Sequence, residues 1–340
     1  MKEYELEVLD EYDVEVRSTR RIRGAFFCDT NEGTMLLKET KISARRAPLL
    51  YEILNYLEKQ EGFRVDTPVF TKSGELLCTG RDGTKYMLKK WFAGRECEVK
   101  READVVEAAR HLARLHQSFV WRERNDSVDE ENIPFTGRAP EEEALRHNRE
   151  LKKVRAFIRD RVSKSQFEYL FLENFERMYD LAERVTERLQ SGACRGLYRE
   201  CIEKRMLIHG DYNYHNVLMV PHIPAVTNFE HFRIDIQAQD LYYFLRKVME
   251  KYQWDEQLGM RMLNAYEAVR PLDSAEREYI ALNLAYPEKF WKTASSYYHS
   301  NKAWIPEKSV EKLKLSAQQS EEKLRFIENI FTLNLQVPVV

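Results

Sequence analysis

Between residues 206 and 240 the chain sets polar residues of one chemical kind between short apolar runs. Met206-Leu207-Ile208 reads as a strand, His209-Gly210-Asp211 follows it, and Asn216 comes after four further residues. Val217 to Val220 and Ala225 to Thr227 read as two more strands, the second leading into Asn228-Phe229-Glu230. Asp240 then opens a helix expected over Leu241 to Glu250. Phosphoryl transfer needs a carboxylate beside the acceptor hydroxyl and an oxygen ligand for magnesium a few ångströms away. Asp211 suits the first role and Asn216 the second. The plainer alternative is that both bond their own loop's backbone, as Asx residues often do.

The elements that would position these residues can be read from periodicity. Arg21 to Cys28 and Thr34 to Glu39 are apolar or β-branched runs flanking Asp29 to Gly33, a hairpin signal. Leu49, Leu50, Ile53, Leu54 and Leu57 space an amphipathic helix over Ala47 to Lys59. Turn signals at Lys72-Ser73-Gly74 and Arg81-Asp82-Gly83 punctuate short strands ending in Lys85 to Phe92. From Val99 the period becomes helical, with Val105, Ala108, Ala109, Leu112 and Leu115 on one face. Trp121 to Pro140 reads as a charged loop, Glu141 to Leu189 as one long helical stretch, and helices resume after residue 240.

Composition limits what such a protein can be. Its 340 residues are 43% hydrophobic with 12 Gly and 10 Pro, enough chain for about two domains and a real core. Lys plus Arg is 54 against 56 Asp plus Glu, so no cationic surplus supports duplex binding. Cys28, Cys78, Cys97, Cys194 and Cys201 form no Cys-x-x-Cys pair and read as reduced thiols, not a zinc site. Met1 to Glu15 is acidic and without the apolar stretch of a secretory signal, and no run reaches the ~20 apolar residues of a membrane span. The expectation is a soluble protein made inside a cell, with no nucleic-acid or membrane partner.

Taken together, His209-Gly210-Asp211, Asn216, Asn228-Phe229-Glu230 and Asp240 resemble the aminoglycoside phosphotransferase and choline kinase group, which is built like protein kinases. The resemblance implies an α+β, two-lobed fold: an N-terminal lobe over 1–93 on the nucleotide side, and a mostly helical lobe over 94–340 carrying the catalytic-loop-like segment 206–240. It further implies that Lys38, in Met35-Leu36-Leu37-Lys38, meets ATP phosphate, that Glu52 pairs with Lys38, and that Gly24 belongs to the ATP-covering loop at Arg21 to Phe26. By the same resemblance Asp211 is the catalytic base, while His209 and Asp240 support the loop. Ordinary surface charge is the competing account of Lys38 and Glu52. Lys90-Trp91-Phe92-Ala93-Gly94-Arg95-Glu96, Leu284 to Lys292, Tyr297-Tyr298 and Trp304 narrow the likeness to the CotS-type spore coat proteins of endospore-forming bacteria. Core packing is the expected physical role of those C-terminal aromatics.

The pattern departs from that group in two places. The covering loop has one glycine where protein kinases have three, and Phe26 and Phe27 are bulky for a phosphate cradle. Asn228 stands where the family carries its magnesium-binding aspartate. Magnesium favours anionic oxygens, so the expected metal set of Asn216 and Asn228 leans on Glu230, or on Asp235, for charge. Two functions follow. One is a CotS-like protein, made in the mother cell for the spore coat, in which the fold is a scaffold among other coat proteins and ATP and magnesium bind weakly or not at all. The other is an active ATP-dependent phosphotransferase acting on a small-molecule or sugar hydroxyl.

Overall fold

The computed structural model describes residues 4–22, 24–121, 135–300 and 307–335. Arg23, most of the expected loop after Trp121, and Trp304 lie outside the described residues. The chain forms two compact units, Met1–Thr136 with Arg205–Ile234, and Gly137–Lys204 with Asp235–Val340.

In the first unit β1 (Val16–Ile22), β2 (Ala25–Thr30) and β3 (Gly33–Glu39) form an antiparallel meander. Helix α1 (Arg46–Gln60) buries Leu49, Leu50, Ile53, Leu54 and Leu57, the stripe its spacing predicts. After it come β4 (Arg64–Val65), β5 (Cys78–Thr79) and β6 (Lys85–Lys90). The five-stranded sheet has the order β1-β2-β3-β6-β5. Alternation along its strands sends Phe26, Cys28, Met35, Leu37, Tyr86 and Leu88 to one apolar face, covered by Val8, Leu9 and Tyr12. Lys38 and Lys89 belong to the opposite set of positions.

Two expectations about this sheet change. The run Arg21 to Cys28 is not one strand. Ile22 pairs with Ala25, and Gly24, at φ +81°, makes the tight connection between β1 and β2. Phe26 and Phe27 are strand residues and not part of a loop. Phe26 lies in the core, and Phe27 meets Trp91 edge-on at 5.7 Å.

The first unit continues through β7 (Arg95–Glu96) and α2 (Glu102–Ser118). It is completed by β8 (Leu207–Ile208), β9 (Val217–Met219), β10 (Ala225–Val226) and β11 (Arg233–Ile234). β10 pairs parallel with β4 and antiparallel with β9, β9 pairs with β7, and β8 pairs with β11. These long-range ladders tie residues 205–234 to the N-terminal segment, so the packing draws its divide elsewhere than between residues 93 and 94.

The second unit is helical: α3 (Pro140–Arg159), α4 (Gln166–Gln190), α5 (Ala193–Glu203), α6 (Ala238–Met249), α7 (Glu256–Glu267), α8 (Ser274–Ala285), α9 (Glu288–His299), α10 (Glu307–Gln318) and α11 (Ser320–Phe331). The long helical stretch expected over Glu141 to Leu189 consists of two helices, α3 and α4. Ser165 opens α4 with a capping box: its hydroxyl accepts from Glu168 N–H, and the Glu168 carboxylate accepts from Ser165 N–H at 2.5 Å. Leu151, Val154, Ile158, Phe167, Phe171 and Phe175 pack with Phe290, Tyr297 and Leu313. Of the C-terminal aromatics, Phe290 and Tyr297 are therefore core, while Trp291 and Tyr298 are partly buried against it. All five cysteines are buried free thiols. Among the described residues no helix is long and apolar enough to cross a membrane.

Candidate functional site

The loop after β8 is held by backbone and ring geometry. Gly210 has φ +79°, and a Cβ there would lie 2.3 Å from the His231 carbonyl oxygen, so only glycine fits. His209 is fully buried. Its Nδ1 accepts from Asp211 N–H at 3.1 Å, and its Nε2 lies 2.9 Å from the Thr227 carbonyl oxygen. Those two partners select the neutral Nε2–H tautomer.

From this loop a continuous chain of side chains runs to the sheet. Lys38 Nζ donates to Asn228 Oδ1 at 3.0 Å, and Asn228 Nδ2 donates to Asn216 Oδ1 at 2.8 Å. Asn216 Nδ2 in turn donates to the Asp211 carboxylate at 3.0 Å and to its carbonyl at 2.8 Å. Asn213 Nδ2 donates to the other Asp211 carboxylate oxygen at 3.0 Å. An ammonium can only donate and a carboxylate can only accept, so the two ends fix the orientation of both amides. Asn228 sits in the left-handed region at φ +64°, ψ +47°, which asparagine tolerates better than most side chains, and begins the 3-10 turn Phe229–His231.

A second cluster lies beside the first. Lys89, fully buried at the end of β6, places Nζ 3.0 Å from Glu230 Oε1 and 3.4 Å from Asp66 Oδ2. Thr40 donates to Glu230 Oε2 at 3.0 Å, and Asp66 Oδ2 accepts from Asn228 N–H at 2.9 Å. Burial opposes the Lys89 ammonium, but Asp66 and Glu230 outweigh it and hold its pKa above the ordinary lysine value. Burial likewise opposes the Glu230 carboxylate, and the Lys89 and Lys38 charges reverse that, leaving its pKa lowered. Arg46 closes this side by donating to the Phe232 carbonyl at 2.5 Å and to the Glu230 carbonyl at 3.4 Å.

The structure thus gathers Lys38, Asp211, Asn216, Asn228 and Glu230 in one unit, and it reassigns two of the expected residues. The Lys38–Glu52 pair does not form: the Lys38 ammonium goes to Asn228, while Glu52 is exposed on α1. The buried cation–carboxylate pairing of this unit belongs instead to Lys89 with Asp66 and Glu230. Glu230 is not turned toward the two asparagines as a substitute metal ligand, because Lys89 and Thr40 occupy its two oxygens. Asp235 and Asp240 belong to the second unit, both buried, Asp240 in the first turn of α6. Gly24 is the hairpin connection already described. Asp66 and Lys89 were not anticipated. Their only signal was a charge beside apolar residues, Asp66 just after Val65 of β4 and Lys89 after Tyr86-Met87-Leu88 in β6.

As a magnesium donor set this arrangement is a poor chemical match. Asn216 and Asn228 offer neutral amide oxygens, each already accepting a hydrogen bond, and Asp211 is the single carboxylate on the chain of bonds. Among the described residues no group of three or more His, Cys, Asp or Glu side chains could hold a metal ion.

The sequence matches the family model "Spore coat putative kinase YutH" over residues 5–330. Spore coat protein S of Bacillus subtilis (strain 168) is 22% identical over 325 residues, covering 93% of this chain and 89% of that protein. An aminoglycoside phosphotransferase from Alicyclobacillus acidocaldarius superposes with a TM-score of 0.80 at 18% identity, over 94% of this chain and 93% of that one. An AMP-bound spectinomycin phosphotransferase gives a TM-score of 0.62 at 12% identity, over 97% of both chains. The fold is therefore the α+β, protein-kinase-like fold of the aminoglycoside phosphotransferases.

Proposed function

The chain belongs to the YutH family of kinase-like spore coat proteins, and from that premise we propose that it is a coat component whose phosphotransferase fold serves mainly as a scaffold, with nucleotide held weakly and phosphoryl transfer weak or absent. The observation that carries this is the unbroken chain from Lys38 through Asn228 and Asn216 to Asp211. In an active site of this class the lysine faces phosphate, the metal ligands face a dication, and the carboxylate accepts the proton of the incoming hydroxyl. Here the same groups satisfy one another. Asn228 supplies no charge, and Glu230, the nearest replacement in sequence, is held by Lys89. The name of its relative, Spore coat protein S, supports a place in the coat with other coat proteins as partners.

Asp211 remains positioned by Asn213 and Asn216, which favours the active-phosphotransferase reading to the extent that a base is present. Calorimetric titration of ATP with magnesium and with EDTA separates the two. Weak binding that magnesium changes by less than about threefold, with no ATP turnover, is the expected result. Tight magnesium-dependent binding with turnover would replace the scaffold by the enzyme.

A further inference from the structure

The strands that carry the buried cluster also carry something on their intervening residues. Asp66 and Lys89 reach Asn228 and Glu230, whereas their neighbours Thr67 and Lys90 line a cavity of about 360 Å³ in the first unit. That volume is at the lower end of the range for small-molecule sites. Its walls are α1, the segment 67–70, and the strand end at Lys90 to Phe92.

The lining divides by chemistry. Tyr51, Asn55 and Lys59 recur every fourth residue along α1, so they form one stripe with about 6 Å between successive residues. Tyr51 and Phe70 meet edge-to-face with ring centroids 4.6 Å apart, and Trp91 and Phe92 add two further rings. Phe70 is 41% exposed, unusual for a ring of its size, and it opens onto this space. Among the described residues the Tyr51 hydroxyl, the Asn55 amide and the Lys59 ammonium have no hydrogen-bond or ion-pair partner. Lys90, by contrast, is neutralised by Glu58 at 2.5 Å, and Glu58 also accepts from Thr67 at 2.7 Å.

We propose that this cavity binds a planar aromatic monocarboxylate. The rings of Tyr51, Phe70, Trp91 and Phe92 take its aromatic face, and Lys59, with the Asn55 amide, takes its carboxylate. Charge decides between ligand classes. With Lys90 paired, Lys59 is the uncompensated cation on the α1 stripe and favours an anion over a quaternary ammonium. Glu32, on the turn before β3, also lines the cavity and repels anions, so the ligand's single charge must sit at the Lys59 end and a dianion is disfavoured.

The probe is 1-naphthoate, titrated into the full chain and followed by calorimetry and by tryptophan fluorescence. A bicyclic acid of this size should bind saturably, with a dissociation constant on the order of 1 mM or tighter. Lys59→Met, at an exposed position, should weaken it about tenfold while leaving the melting temperature unchanged. Phe70→Ala should weaken it similarly, and Trp91→Phe should remove most of the fluorescence change. Uncharged 2-naphthol and non-aromatic cyclohexanecarboxylate should each bind more weakly than naphthoate. Absence of saturable binding, or an affinity unmoved by both Lys59→Met and Phe70→Ala, would overturn the assignment.

Discussion

Replacing Lys89 by methionine isolates the energetic role of the buried cluster. The lysine is fully buried, and so is Asp66, while Glu230 is largely so. Methionine keeps most of the stem's volume and removes the charge, leaving two carboxylates without their shared counter-ion. Removing one partner of a buried ion pair typically costs about 3–5 kcal/mol, because the remaining charge stays desolvated. For a unit of this size that is a fall in melting temperature of about 6–20 °C. The pH dependence gives a sharper signature. In the parent, Glu230 has a lowered folded-state pKa, so its contribution is present above the unfolded value near 4.5 and is lost as pH falls through the folded one. Lys89 has a raised folded-state pKa, so its contribution is present below about 10.5 and is lost as pH rises through the folded value. Between about pH 5 and 10 the parent cluster is therefore insensitive to pH. In Lys89→Met the Glu230 carboxyl loses the Lys89 charge that opposes its burial, so its pKa moves upward and it regains stability when protonated. The deficit should be largest near pH 8 and shrink toward pH 5. Urea denaturation at both pH values measures it. A loss below about 1 kcal/mol, equal at pH 5 and pH 8, would refute the cluster's role.

Three further outcomes are expected. Asn228→Asp puts a carboxylate oxygen where an amide now donates to Asn216, and gives the site a second anion. ATP affinity in magnesium should rise about tenfold over the parent while affinity in EDTA stays level or falls, as calorimetry will show. Gly210→Ala should cost more than about 2 kcal/mol by thermal melting, because the positive φ and the His231 carbonyl both reject a Cβ. Asp240→Ala, which removes a buried carboxylate from the first turn of α6, should lose about 1–3 kcal/mol, and an unchanged melting temperature would show that the carboxylate carries no structural bond.

The loop after β8 was legible in part because some of its bonds are local: Asp211 is held by His209, Asn213 and Asn216, all within five residues of it. The α1 stripe was legible for the same reason. The partners of Lys38 were not, since its bond reaches Asn228, 190 residues away, and the direction of a strand-end side chain depends on which strand lies beside it. Asp66, just past β4, and Lys89, one of three lysines in β6, escaped because charges at the ends of short strands read as surface residues, and only the pairing of β4 with β10 brings Asp66 to Asn228. The break at Ser165 was written in the sequence as Ser165-Gln166-Phe167-Glu168, a capping box inside a run whose apolar period barely falters.

The fixed polarity of the two amides makes the site its own competitor. A dication that used the oxygens of Asn216 and Asn228 would have to displace the Lys38 ammonium and part the bond between the two side chains. Turning the Asn228 amide while Lys38 stayed would set two donors against each other. Holding an ion on both oxygens therefore requires the closed form to open. If the two side-chain bonds that must part contribute about 1 kcal/mol each, the open form is populated about thirtyfold less than the closed one. Any intrinsic metal affinity would be discounted by that same factor, whatever the ligands themselves could achieve. Weak cation binding would then be a property of an occupied seat as well as of a missing charge, and Asn228→Asp changes both at once.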